Sequence, residues 1–198
     1  MDRHRPIQDL KWCVKENYEK ILSLRCRRVH RRPPFGRLRA SLVKKLKRTV
    51  NIMKIFITGG AGYIGSVLIP MLLDQKFKVT VFDSLLYGGS SLLSFVSNPN
   101  FSFIKGDVRD KKTLSYALNN NDLIMHLAAI VGLSACNRDP KLAHSTNVEG
   151  TKNIVDLLSP SQIFIFASTV SNYGAALGNS CKEDTPLNPL SLYAKTKT

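Results

Sequence analysis

The sequence predicts an α/β fold, a doubly wound parallel sheet of Rossmann type with helices on both faces. Three observations predict it. After Met53, short apolar runs rich in β-branched and aromatic residues alternate with helix-like runs. The first run leads at once into "TGGAGYIGS" (Thr58–Ser66), four glycines in nine residues. An acidic residue, Asp83, ends the second run, 18 residues after Gly65.

The elements follow in order. "KIFIT" (Lys54–Thr58) reads as the first strand. A helix runs from about Tyr63 to Gln75, with Pro70 expected to kink it. "KVTVFD" (Lys78–Asp83) is the second strand, "FSFIKGD" (Phe101–Asp107) the third and "DLIMHLAA" (Asp122–Ala129) the fourth. A long helix is expected over Pro140–Leu158, then a fifth strand in "QIFIFAS" (Gln162–Ser168). A last helix starts near Leu190. Strands that read as continuous apolar runs belong to a sheet buried on both faces.

The glycine stretch lies where a strand must turn into a helix. Gly59, Gly62 and Gly65 give a G-x-x-G-x-x-G spacing, a variant of the dinucleotide fingerprint. Glycine permits close approach of a ligand to the backbone. The helix N-terminus beyond it presents free N–H groups to a pyrophosphate. A tight turn without a ligand would also use these residues. Asp83 favours the ligand, because a carboxylate at the end of the second strand can accept from the ribose hydroxyls of an adenosine. The same charge repels a 2′-phosphate, so NAD is expected over NADP. Asp107, in "GDVRD" (Gly106–Asp110), could reach an adenine edge or cap a helix.

Two further constellations carry chemistry. In "LYAKTK" (Leu192–Lys197), Tyr193 and Lys197 are four apart and share a helix face, whereas Lys195 points away. An ammonium near a phenol lowers its pKa and suits it to act as a base. "FASTVSNYG" (Phe166–Gly174) places the hydroxyls of Ser168, Thr169 and Ser171 at the carboxyl end of the fifth strand. Ligands of open parallel sheets sit at that end.

The front of the chain differs. The formal net charge is +15 over 198 residues, yet residues 1–52 alone hold sixteen Lys/Arg against four Asp/Glu. They read as a basic, poorly ordered extension, and 53–198 as the dinucleotide-binding domain. Arg37–Val50 has the pattern of a basic amphipathic helix, which could meet an anionic membrane or a nucleic acid. The four cysteines form no C-x-x-C pair and suggest no metal site. The N-terminus has no secretory h-region, and a reduced, cytoplasmic setting is expected.

Together, "TGGAGYIGS", Asp83 in "VFDSLLYGG", "GDVRD", "HLAAIVG" (His126–Gly132), "NVEGT" (Asn147–Thr151), "FASTVSNYG" and "YAKTK" resemble the extended short-chain dehydrogenase/reductase superfamily. The likeness is to its NAD-dependent nucleotide-sugar epimerase/dehydratase branch. It covers about residues 53–198 and leaves 1–52 without a counterpart. The resemblance implies an enzyme that oxidises a sugar hydroxyl by proton abstraction and hydride transfer to NAD. Tyr193 would be the base and Lys197 its activator, also bonding the nicotinamide ribose. Thr169 would bond the sugar hydroxyl. Gly59, Gly62, Tyr63, Ile64 and Gly65 would hold the pyrophosphate, Asp83 the ribose, and Asp107 and Val108 the adenine. Ala128 and Ala129 would line the path to the nicotinamide, and Asn147 would order the helix near the site.

The resemblance also implies strand order 3-2-1-4-5, a nucleotide-sugar substrate, and a homodimer as one form of the full-length protein. Members continue well past the Y-x-x-x-K helix into further strands and a substrate domain. Here Thr198 follows Lys197 directly, so a truncated domain is expected. A second reading is a dinucleotide-binding module without turnover.

Overall fold

The computed structural model describes residues 52–175 and 181–198. The expected basic extension, with its amphipathic stretch, lies outside the described residues.

Five parallel strands form one sheet in the order β3-β2-β1-β4-β5. They are β1 (Lys54–Thr58), β2 (Lys78–Asp83), β3 (Phe101–Lys105), β4 (Leu123–His126) and β5 (Ile163–Phe166). The register is continuous: Thr58 pairs with Phe82 on one side and with His126 on the other, and His126 pairs with Phe166. The carboxyl ends of β1, β4 and β5 therefore lie side by side. The expected strand order is the observed one. The third, fourth and fifth strands are each shorter than the sequence suggested, since their last residues peel away to form the site.

Side chains alternate across the sheet, as the two-residue period of a strand requires. Ile55, Ile57, Val79, Val81 and Leu123 pack on one face with Ile69 and Leu73 of α1 (Tyr63–Asp74). Phe56, Phe82 and Ile124 pack on the other with Leu114 and Leu118 of α2 (Lys111–Leu118) and with Ile154 of α5 (Gly150–Leu157). Both faces bury apolar side chains, which is why the central strands read as unbroken apolar runs.

Helix α1 passes through Pro70 as one element, Tyr63 to Asp74. Ile69 and Leu73, on either side of the proline, are both buried against the sheet. Helix α2 is an element that the hydrophobic pattern did not reveal. Its start is set by Asp110, whose carboxylate accepts from the N–H groups of Lys112 and Thr113 at 3.1 and 3.2 Å. Short helices α3 (Leu133–Arg138) and α4 (Pro140–His144) follow β4. The long helix expected over Pro140–Leu158 is a composite: α4, a π turn at Ser145–Glu149, and α5. One wide turn changes the facing of the residues within it. The last helix is α6 (Leu192–Thr196), capped by the Ser191 hydroxyl, which accepts from Ala194 N at 3.0 Å. Among the described residues no helix is long and apolar enough to cross a membrane.

Candidate active site at the carboxyl ends of the strands

The glycine loop leaves β1 and turns back into α1. Gly59 has φ +71°, and a Cβ there would lie 2.5 Å from Ala128 N. Only glycine lets this turn lie against the chain leaving β4. A Cβ on Gly65 would lie 2.1 Å from Gly60 O, so α1 can seat itself on the loop only with glycine at that position. Tyr63, Ile64 and Gly65 form the first turn of α1, where N–H groups have no partner inside the helix. Tyr63 is 88% exposed, so the mouth of the cradle is open. A close-packed backbone turn ending in free N–H groups fits a pyrophosphate.

Asp83 stands beside this loop. Its carboxylate accepts from Ala61 N at 3.0 Å and from Leu85 N at 2.7 Å. The Ala61 carbonyl accepts from the Ser91 hydroxyl at 2.7 Å, so the Ala61 residue is held at both its N–H and its C=O. The Asp83 carboxylate thus braces the loop through two backbone N–H groups, and its oxygens keep further lone pairs that could meet a ribose. Ser91 had no sequence signal. It is placed by Leu92, which is buried in the core.

Asp107 and Val108 follow β3. Asp107 is bound by Arg109, whose Nε and Nη2 donate to it at 3.0 and 2.6 Å. These bonds hold its carboxyl below the usual carboxylate range. The capping role open to Asp107 in the sequence belongs to Asp110. Val108 turns its side chain into the core, and its carbonyl accepts from Asn153 Nδ2 at 3.1 Å. Ala128 and Ala129 are half-buried beyond β4, next to Gly59.

The hydroxyl group and the Y-x-x-x-K pair come together. Thr169, just beyond β5, sets its hydroxyl near the Tyr193 phenol, where it favours the phenolate. Lys197 is 3% exposed, whereas Lys195 is exposed, as the helix period predicts. Burial pushes Lys197 down to about 8. Tyr193 moves the other way from the expectation. Burial pushes it up, Cys136 adds to the rise, and the nearby Thr169 hydroxyl works against both. The physical reason is that the phenol has lost part of its water, while Lys197 Nζ lies 4.0 Å over the Phe166 ring.

A directed hydrogen-bond chain ties the glycine loop to Tyr193. Thr151 Oγ1 donates to Asn147 O at 2.6 Å, so towards His126 Nε2, at 2.9 Å, it must accept. That places the imidazole proton on Nε2 and makes Nδ1 the acceptor for Thr58 Oγ1 at 2.6 Å. Burial, with Lys197 nearby, pushes His126 down to about 3, which keeps the ring neutral. From Asn147, in the π turn, Nδ2 donates to Thr196 Oγ1 at 3.0 Å. Thr196 Oγ1 donates in turn to Tyr193 O at 2.8 Å. Asn147 also exchanges both bonds with the Ile130 backbone, at 2.7 and 3.0 Å. It therefore orders the turn of α6 that carries Tyr193.

Asn172 holds the other end of that helix. It is 4% exposed, and Nδ2 donates to Lys197 O and to Ser168 Oγ, both at 3.1 Å. Its signal was a polar residue in the stretch just beyond an apolar strand, which by itself does not distinguish a turn from a clamp.

Comparison with known proteins agrees with this geometry. Residues 55–198 match the NAD dependent epimerase/dehydratase family. The low-salt glycan biosynthesis protein Agl12 of Haloferax volcanii is 36% identical over 152 residues, 73% of this chain and 48% of that protein. UDP-glucose 4-epimerase 2 of Oryza sativa subsp. japonica is 31% identical over 156 residues, 74% of this chain and 38% of that protein. The fold superposes with TM-score 0.68 on DesIV, a dTDP-glucose 4,6-dehydratase from Streptomyces venezuelae with NAD and TYD bound. That match has 32% identity and covers 73% of this chain and 48% of that one. The chain thus spans about half the length, or less, of these relatives. With the sheet order, the glycine cradle and the Thr169–Tyr193–Lys197 cluster, the match places the chain in the NAD dependent epimerase/dehydratase family.

Proposed function

We propose that this chain binds NAD and carries the proton-abstracting site of a nucleotide-sugar epimerase or dehydratase. The observation that carries the reading is the cluster beyond β5. The Thr169 hydroxyl lies near the Tyr193 phenol, and the buried ammonium of Lys197 belongs to the residue that caps the same helix.

The residues divide the work. The first turn of α1 and the glycine loop hold a pyrophosphate, and Asp83 accepts from the adenosine ribose. Asp107 and Val108 flank the adenine, with Val108 contributing its main chain, and Ala128 and Ala129 lie along the path to the nicotinamide. When bound, NAD supplies the hydride acceptor. Thr169 orients the sugar hydroxyl, and Tyr193 takes its proton. Lys197 favours the phenolate and donates to the nicotinamide ribose. Nucleotide-sugar substrates come to this chain from its relatives, among them the rice UDP-glucose 4-epimerase and the bacterial dTDP-glucose 4,6-dehydratase.

The test is calorimetric titration with NAD, followed by incubation with UDP-glucose and dTDP-glucose. Tyr193→Phe should keep NAD affinity and abolish most turnover. NAD binding with no turnover of any nucleotide sugar would favour a binding module. Failure to bind NAD would refute the reading.

A further inference from the structure

We propose that the aromatic ring of Phe166 is the electrostatic partner of Lys197, a positioning residue that stands where a carboxylate would otherwise be needed. The inference rests on the reading of Lys197 as the activating lysine. Lys197 is 3% exposed, and an ammonium removed from water requires compensation. The ion pairs among the described residues are Arg109–Asp107 and Lys111–Asp156, and neither includes it. Its Nζ lies 4.0 Å from the centroid of the Phe166 ring instead, where the negative face of the ring attracts a cation.

The fold sets this pair deliberately in register. Phe166 is the last residue of β5 and pairs with His126 at the end of β4. The His126 and Phe166 rings stack at 5.8 Å, and Phe164 continues the stack at 6.3 Å. The titratable group that feels the charge of Lys197 is His126 on β4, an imidazole and not a carboxylate, and burial alone shifts Lys197 itself. His126 is held neutral by its two threonine partners and its burial, so it does not compete for the ring face.

The chemistry gives the arrangement a purpose. A carboxylate would bind the ammonium through hydrogen bonds and occupy its donors. A ring face attracts the charge without accepting a conventional hydrogen bond. The three N–H donors of Lys197 then stay available to a ribose and to the field around Tyr193. Phe166 is also three residues before Thr169, so one strand end fixes both the charge and the hydroxyl of the site.

The test needs neither cofactor nor turnover. Lysine side chains labelled with ¹³C at Cε are titrated by NMR, and Lys197 is assigned by the signal lost in Lys197→Met. In the unsubstituted protein Lys197 should titrate below the ordinary lysine range. In Phe166→Leu and Phe166→Met its midpoint should fall further, by about half to one pH unit. Replacing Phe166 by phenylalanines with one, two and three ring fluorines keeps the shape and weakens the negative face. The midpoint should fall stepwise along that series. Equal midpoints across the fluorinated series would overturn the inference and leave Lys197 as activator. A Lys197 midpoint at the ordinary lysine value in the unsubstituted protein would overturn the reading of a buried activating lysine, and the inference with it.

Discussion

Thr58 and His126 end adjacent parallel strands, and the threonine hydroxyl donates to His126 Nδ1 across 2.6 Å. One residue holds the start of the glycine loop, and the other starts the hydrogen-bond chain that reaches Tyr193. The link is buried on both sides and keeps this direction only while the imidazole is neutral.

His126 therefore makes stability depend on pH. Its pKa in the fold is depressed to about 3 from an ordinary 6.5. Above 6.5 neither the folded nor the unfolded chain protonates it. Between 6.5 and about 3 the unfolded state takes up a proton and the folded state does not, so stability falls as the pH falls. The loss should approach roughly 1.4 kcal/mol per pH unit from this group. Urea unfolding at a series of pH values should show that slope, and His126→Gln should lack this share of it. An unchanged slope in the variant would contradict the assignment.

Lys197 acts in the same direction at the other end of the scale. Its pKa falls from 10.5 to about 8 on folding, so stability should rise as the pH rises between those values. Lys197→Met removes that rise and should also weaken NAD binding. Lys195→Met should leave both unchanged, because Lys195 is exposed. If the two substitutions exchanged effects, the assignment of the α6 face would be wrong.

Asp83 should set the choice of cofactor. NAD is expected to bind more tightly than NADP, since a carboxylate repels a 2′-phosphate. Asp83→Ala removes the ribose acceptor and the brace on Ala61 N together. A bond to a charged acceptor contributes about 1.5–3 kcal/mol, so NAD affinity should fall roughly ten- to a hundredfold. Titration of both cofactors against both proteins checks this, and equal binding of NAD and NADP by the unsubstituted protein would contradict it.

Gly65→Ala tests the cradle itself. The added methyl meets backbone 2.1 Å away, so α1 must move off the loop. NAD affinity should fall more than tenfold, and the thermal midpoint should fall as well. The control is Gly88→Ala, in the exposed loop after β2, where a Cβ would have nothing within 4 Å. Its cost is confined to the positive φ of +90°, so it should lower stability without a matching loss of NAD affinity.

The sequence by itself determined the alternation of strands and helices, the glycine turn and the Tyr193/Lys197 face. These are written in local signals: apolar runs of strand length, glycines at a strand-to-helix turn, and a four-residue spacing on one helix. The tertiary structure decided what local signals cannot carry. It broke the helix expected over Pro140–Leu158 with a π turn, which brought Asn147 to Ile130 and Thr196, residues far from it in the chain. It gave the helix cap to Asp110 and the Arg109 pair to Asp107. It raised the Tyr193 pKa where the spacing alone suggested a fall, because burial is a property of the packed site. It set Phe166 under Lys197, Asn172 against its carbonyl, and His126 between two threonines. Each of those partners is chosen by which strand ends lie side by side, and only the assembled sheet fixes that.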